Sequence, residues 1–283
     1  MYAYLLQLLI ETEEHSIAKK NSEKIPVARE KGKKGKKKEE TDLHDKDTSI
    51  WELDTEKEKI IVMLLSVIDL DLSRLWNLPQ PEESFLNLFS RIAFQVMENP
   101  ANIKSKTIKR AALILVATAS IKYYRSFNLV SSLLDSLYKH EHLVTPFVEL
   151  IDMLVTEHDF HTAVSDLLRE IGKLNPRDLS RDTTGAKNIS TFISELAEKI
   201  PRAMMPFTSF LLTHLEHDSY TMRNGVIQVI GFMIGVQHEG EDARADATTK
   251  TRDSLLEILI ERFRDINAYT RSKVLQTWSY LCQ

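Results

Sequence analysis

Two stretches near the C-terminal end decide the fold: Arg223-Asn-Gly-Val-Ile-Gln228 and Arg271-Ser-Lys-Val-Leu-Gln276. They share the pattern Arg-x-x-Val-[Ile/Leu]-Gln at a separation of 48 residues. Each is preceded by an acidic residue and a Tyr-Thr pair, Asp218-Ser-Tyr-Thr221 in the first and Asp265-Ile-Asn-Ala-Tyr-Thr270 in the second. A period of this length is close to that of helix-pair repeats of the HEAT and armadillo kind, whose units cannot close a core alone and therefore stack. In such a unit Asp218 and Asp265 are expected to cap the second helix of a pair. Val226 and Val274 face the neighbouring unit, and Arg223 and Arg271 can reach the aspartate of an adjacent turn.

Working outward, apolar residues recur at helical spacing almost everywhere. Phe85, Phe89, Ile92 and Val96 mark one face between Pro81 and Asn99-Pro100; Ile108, Ala112, Leu115 and Ala119 mark the next. Val130, Leu133, Leu134 and Leu137, then Val164, Leu167, Leu168 and Ile171, then Phe207, Phe210 and Leu211, then Leu255, Leu256, Leu259 and Phe263 repeat the arrangement. Thr55-Glu-Lys-Glu58 has the form of a capping box and predicts a helix start. Pro146 and Pro201 are placed for first helical positions, with Thr145 as a cap. No stretch alternates apolar and polar residues long enough to predict a strand, and about a dozen helices are expected. Gly231 and Gly235, four apart inside one helix, are expected at close helix approaches, since each costs about 1 kcal/mol against alanine there.

Composition agrees. Eight glycines in 283 residues are less than half of the roughly 7% average usage, too few for the turns of a sandwich or a large α/β enzyme. The single cysteine, Cys282, excludes an internal disulfide and any zinc site built on two or four cysteines. The longest strongly apolar run, Val226 to Val236, is far short of the roughly 20 residues that span a bilayer, and the first residues lack the form of a signal peptide. No membrane partner and an intracellular setting are expected.

Charge divides the chain. The net charge is −4, yet Arg29 to Lys38 holds seven cations against one glutamate. The segment 22–50 is charged, and Gly32 and Gly35 break it within the basic run. It lacks the apolar area to offset the entropy of ordering it, so it is expected to be a disordered loop. The expected organisation is an N-terminal helix over 1–21, the Lys/Gly-rich loop over 22–50, and HEAT-like repeats over 51–283, an all-α solenoid.

Several further pieces carry a resemblance: the insert Gly32-Lys-Lys-Gly-Lys-Lys-Lys38 followed by Trp51; Leu70-Asp-Leu-Ser-Arg-Leu-Trp76; Met97-Glu-Asn-Pro100; Asp178-Leu-Ser-Arg-Asp182 with Gly185-x-Lys187; Ser194-Glu-Leu-Ala-Glu-Lys-Ile-Pro201; Tyr220-Thr-Met-Arg-Asn224; and the run from Asp265 to Gln276. In order and spacing the chain resembles the condensin subunit 1 family, the HEAT-repeat, non-SMC regulatory subunits of condensin, over essentially its whole length. The family's members are much longer, so the resemblance is to their N-terminal part. It implies a scaffold without catalytic residues or cofactor that binds the kleisin subunit and helps the SMC ATPase heads capture DNA in mitosis. It also implies residence in the nucleus and on chromosomes, with a cytoplasmic pool.

Candidate site residues follow. Lys31, Lys33, Lys34, Lys36, Lys37 and Lys38 suit sequence-independent neutralisation of DNA phosphates, and the resemblance sets this loop near the SMC head. The competing readings are a solvated loop or a nuclear-import signal. Lys104, Lys106, Lys109 and Arg110 form a second basic patch, away from the apolar face of their helix, set against an ordinary solvated face. Arg177, Arg181 and Lys187 lie beside Asp178 and Asp182 and read as local pairs. Two other functions stay open: a generic HEAT adaptor holding an extended peptide, and a helical His-Asp metal phosphohydrolase. The second draws on His44-Asp45, His158-Asp159, His217-Asp218 and the pairs His158/His161 and His214/His217. No phosphate-binding loop or nucleophile elbow is present, so no ATP hydrolysis and no small-molecule substrate are expected.

Overall fold

A computed structural model describes the backbone of residues 42–70, 83–123, 128–175, 179, 183–236 and 243–282, and the side chains of these except 42–55, 83–84 and 243–248. Among the described residues there are thirteen α-helices, four 3-10 turns and no strand, as the periodicity requires. The chain divides into two compact units, Met1–Asn128 and Leu129–Gln283.

In the first unit, α1 (Asp42–Asp69) and α2 (Glu83–Glu98) pack on α4 (Lys106–Lys122), with the short α3 (Pro100–Lys104) between α2 and α4. Ile61, Leu64 and Ile68 of α1, Phe89, Ile92 and Val96 of α2, and Ile108, Ala112, Leu115 and Ala119 of α4 are buried together. Asn99 accepts from the Ala101 N–H at 3.0 Å and so starts α3, with Pro100 in the first position where its missing donor is harmless. Lys122 closes α1 from the other side, its Nζ donating to the carbonyls of Ile68 (3.1 Å) and Asp69 at the negative end of the helix dipole.

The start of α1 differs from the sequence expectation. The helix begins at Asp42, so Thr55 is an interior residue and not a cap, and residues 42–50 of the expected loop are helical. No glycine or proline lies between Asp42 and Asp69 to stop the helix. The N-terminal helix expected over 1–21 and the remainder of the loop, 22–41, fall outside the described residues.

The second unit is a succession of helix pairs. Its elements are α5 (Leu129–Lys139), α6 (Val144–Thr156), α7 (Thr162–Gly172), α8 (Thr184–Lys199), α9 (Pro201–Met204), α10 (Ser209–Leu212), α11 (Tyr220–Gly235), α12 (Ala243–Glu261) and α13 (Ala268–Leu281). α8 packs on α5 and α6, α11 on α8, and α13 on α11, so successive second helices form a layer. Val164, Leu167, Leu168 and Ile171 are completely buried, as are Val226, Ile230 and Val274. The stretch expected as one helix around Phe207 and Phe210 is instead α9, a 3-10 turn over Met205–Phe207, and α10. Pro206 explains the break, because its ring and missing N–H cannot continue the preceding turn. Pro201 takes the first position of α9 as expected, whereas Thr145 is no cap: it lies inside α6 and donates to Glu195 Oε2 at 3.2 Å.

Candidate functional site

The repeat signature folds into a clasp between consecutive helix pairs. Arg223 Nη1 donates to the carbonyls of His217 (2.6 Å) and Asp218 (3.0 Å), closing the turn that leads into α11. Arg271 does the same one repeat later, to the carbonyls of Asp265 (2.8 Å) and Ile266 (3.2 Å). The other edge of the Arg223 guanidinium meets Asp265: Nη2 donates to Oδ1 at 3.1 Å and Nε lies 3.0 Å from Oδ2, with both side chains more than nine-tenths buried. The reach of an arginine to the aspartate of an adjacent unit is therefore observed.

The capping role expected of Asp218 and Asp265 is not. Ser219 caps α11 by accepting from the Met222 N–H, and Asn267 caps α13 by accepting from Tyr269 and Thr270. Asp218 is exposed, and Asp265 uses Oδ1 to hold both Arg223 and the Asn267 N–H (2.8 Å). Ser219 and Asn267 sit one and two residues closer to their helices, where a short polar side chain meets the free N–H groups of the first turn.

The second basic patch occupies the junction of α3 and α4. Lys104 ends α3, while Lys106, Lys109 and Arg110 stand in the first turns of α4 with no acidic residue among them. Lys104, Lys106 and Arg110 are exposed and form no ion pair among the described residues; Lys109 is half-buried. Cations at the positive end of a helix lose roughly 0.3–1 kcal/mol each, so this charge is not there to stabilise α4. The loop lysines, Lys31, Lys33, Lys34, Lys36, Lys37 and Lys38, lie outside the described residues, as do Arg177, Asp178, Arg181 and Asp182; His44 and Asp45 lie in α1, where only the backbone is described. Lys187 Nζ stands 3.5 Å from Glu141.

Among the described residues the histidine pairs do not assemble a metal centre. His161 Nε2 contacts Asp159 at 3.0 Å on an exposed turn. His214 is fully buried with both ring nitrogens engaged, Nε2 at 2.8 Å from the Ile171 carbonyl and Nδ1 at 3.0 Å from His217 Nδ1. A carbonyl only accepts, so Nε2 carries the proton of neutral His214, and His217 donates from its Nδ1. Among the described residues no three His, Cys, Asp or Glu side chains converge. Burial holds the His214 pKa below its ordinary 6.5, the Ile171 carbonyl opposing this and His217 adding to it. A histidine kept neutral by the fold takes up its proton more readily when unfolded. Stability is therefore fully present above about pH 6.5 and is lost as pH falls from there towards the lower folded value. Thermal unfolding followed by circular dichroism should show Tm falling between about pH 7 and 5.5, with a shallower fall in His214→Gln; parallel curves for the two proteins would reject this assignment.

Sequence reasoning misses several buried polar residues. Lys57 is completely buried and donates to Asn102 Oδ1 at 3.2 Å, while Asn102 Nδ2 donates to the Val96 carbonyl at 2.9 Å. Asn188 Nδ2 donates to the Leu137 carbonyl and Ser190 Oγ to the Thr221 carbonyl, each at 2.8 Å, tying α8 to α5 and α11. Nothing local in the sequence marks Lys57, Asn188 or Ser190, whose partners Asn102, Leu137 and Thr221 are 31 to 51 positions away.

Comparison with known proteins bears directly on this arrangement. Residues 1–129 match the family described as non-SMC mitotic condensation complex subunit 1, N-term. Condensin complex subunit 1 of Xenopus laevis is 33% identical over 285 aligned residues, covering 100% of this chain and 20% of the relative. The human protein of the same name is 31% identical with the same coverage, and the Arabidopsis thaliana condensin-1 complex subunit CAP-D2 is 25% identical over 100% of this chain and 19% of its own length. Over its whole length this chain matches the N-terminal part of condensin subunit 1. It spans about a fifth of the length of these curated relatives. The stretch matched by the family description contains the loop lysines and the patch Lys104–Arg110, whereas the Arg223–Asp265 clasp lies in the part aligned only with the whole-length relatives.

Proposed function

We propose that this chain acts as a non-catalytic scaffold and regulatory part of condensin. In this reading it binds the kleisin subunit and presents a basic loop to DNA, while the SMC ATPase heads supply the energy for capture and for chromosome condensation in mitosis. Its place is then the nucleus and chromosomes, with a cytoplasmic pool. The observation that carries the reading is the alignment of the entire chain with condensin subunit 1 relatives from animals and a plant.

Physical chemistry gives the loop its part. Six lysines, Lys31, Lys33, Lys34, Lys36, Lys37 and Lys38, sit in a chain that is otherwise net acidic. Lysines neutralise phosphates by releasing counterions and read no base, so such a contact captures any duplex and weakens steeply with salt. Lys104, Lys106, Lys109 and Arg110 form a second, helix-borne cluster for the same kind of anion, or for an acidic segment of the kleisin.

The test uses the complex reconstituted with its kleisin and SMC subunits. Deleting Gly32–Lys38 removes five of the six lysines. Affinity for duplex DNA, read by fluorescence anisotropy across a salt series, should fall, and the log–log salt slope should shrink by about 0.9 for each phosphate that is no longer neutralised. Retention of the chain on immobilised kleisin should be unchanged. Unaltered affinity and slope would remove the loop from DNA binding; loss of kleisin retention would move its role to subunit assembly.

A further inference from the structure

The second unit carries a groove that neither the clasp nor the basic patches use. It measures about 540 Å³ and lies where α8, α11 and α13 meet. A smaller hollow of about 160 Å³, walled by Gly231, Phe232, Thr277 and Tyr280, continues from it, and Gln228 and Lys273 line both. The two form one channel, mixed polar and apolar along the groove and mostly apolar in the hollow, with Lys273 at the junction.

Three features of the channel are chemically incomplete. Asn224 and Gln228 stand one turn apart on α11 and both line the groove; the Asn224 Oδ1 is buried and has no hydrogen-bond partner among the described residues. The Lys273 ammonium is half-buried at the junction, with no hydrogen bond or ion pair among the described residues. Burial alone lowers its pKa, with no neighbouring carboxylate acting on it. The hollow is lined mostly by apolar surface, with the Phe232 and Tyr280 rings set edge to face at 5.6 Å.

Each feature specifies part of an occupant. Side-chain amides present a donor and an acceptor together, which matches the alternating N–H and C=O of an extended peptide backbone. A desolvated ammonium without an anion gains most from a carboxylate, because a charge-assisted bond is stronger away from water. The apolar hollow suits an aliphatic side chain. Nucleic acid is a poor match, because a charge at every phosphate would set several anions against Glu195 and Glu198 of the same groove, whereas a single carboxylate needs only the Lys273 ammonium.

We propose that this channel binds an extended peptide in which an aspartate or glutamate adjoins an aliphatic residue. The carboxylate sits on Lys273, the aliphatic side chain enters the hollow beside Tyr280, and the backbone runs over Asn224 and Gln228. The proposal is independent of the condensin reading: the groove lies wholly in the second unit and its test involves no DNA.

The test is fluorescence anisotropy with the 283-residue chain and three pools of labelled short peptides, randomised except for a central Asp-Leu, Lys-Leu or Asp-Ser. The Asp-Leu pool should bind at least tenfold more tightly than either other pool, the size of one charge-assisted hydrogen bond or one buried aliphatic group. Lys273→Gln should abolish the preference for Asp-Leu over Lys-Leu while keeping that for Asp-Leu over Asp-Ser, and Lys273→Glu should invert the first. An unchanged Tm in both variants establishes that the fold is intact; if Tm falls, protection of Lys273 from acetylation by the Asp-Leu pool in the unsubstituted protein replaces that arm. Equal binding of all pools, an acid preference that survives Lys273→Gln, or no protection of Lys273 would overturn the proposal.

Discussion

Asp265→Ala should destabilise the second unit by about 3–5 kcal/mol, because it leaves the Arg223 guanidinium buried without its counter-charge. The side chains of this pair are 7% and 3% exposed, so little water reaches the orphaned cation. The same substitution removes the acceptor of the Asn267 N–H at the turn into α13, which adds to the loss. Equilibrium urea unfolding read by amide hydrogen exchange across α11 and α13 isolates this unit from the first.

A nearby pair supplies the contrast. Arg262 Nη2 lies 2.6 Å from Glu216 Oε1 between the same consecutive helix pairs, a shorter separation than in the clasp, yet Glu216 is 74% exposed. Water screens it, and Glu216→Ala should cost under about 1 kcal/mol. Separation and burial thus give opposite rankings, and burial should win. In a double-mutant cycle, Arg223→Met combined with Asp265→Ala should lose less than the sum of the single losses by about 1.5–3 kcal/mol. The double variant should not return to full stability, since Arg223 also holds the His217 and Asp218 carbonyls. Losses that simply add would show that the clasp does not couple one repeat to the next.

The clasp also marks how far local sequence carries. The recurrence of Arg223 and Arg271 in one pattern is enough to predict stacked pairs and an arginine reaching the neighbouring aspartate, because a repeat places equivalent residues equivalently. The cap is not predictable in the same way, because Asp218-Ser219 and Asp265-Ile-Asn267 each offer two good capping side chains within three positions. In the second pair Arg223, folded in from the preceding unit, engages the Asp265 carboxylate and leaves Asn267 to cap; in the first Ser219 caps while Asp218 stays exposed. Thr55 misleads for a related reason: a capping box is recognised by four residues, but a helix starts where nothing upstream can extend it, and the glycine-free run from Asp42 can. Lys57 reads as a surface residue in every local pattern and is nonetheless buried on Asn102. Its environment is made by a helix 45 residues away, as the groove around Lys273 is made by three helices at once. The exposure of Lys104, Lys106 and Arg110 is legible because exposure of one helix face follows from burial of the other, whereas Lys109 is half-buried.

Gly225→Val should cost about 3 kcal/mol, the upper part of the usual range for overpacking a tight interface. A Cβ on Gly225 would stand 2.4 Å from Ser190 Oγ, 3.0 Å from the Ser190 carbonyl oxygen and 3.1 Å from its Cα. The serine hydroxyl can rotate away, at the expense of its bond to the Thr221 carbonyl. The carbonyl and Cα are backbone and cannot, so α8 and α11 must separate. Gly225→Ala should therefore lose about 1–3 kcal/mol from the clash despite the roughly 1 kcal/mol that alanine returns in helix propensity, and Ser190→Ala in the same chain should recover part of that loss. Gly235, which pairs with Gly231 in the sequence pattern, is the control. Its Cβ would lie no nearer than 3.5 Å from Tyr280, an ordinary separation, so Gly235→Ala should leave stability unchanged or raise it by up to about 1 kcal/mol. Gly231 falls between the two, because the atom its Cβ would strike at 2.4 Å is a side-chain methyl, Thr277 Cγ2. Urea midpoints in the order Gly235→Ala, Gly231→Ala, Gly225→Ala, from most to least stable, would establish that helix separation decides which glycines are required. A common gain at all three would show that helix propensity, and not helix separation, governs these positions.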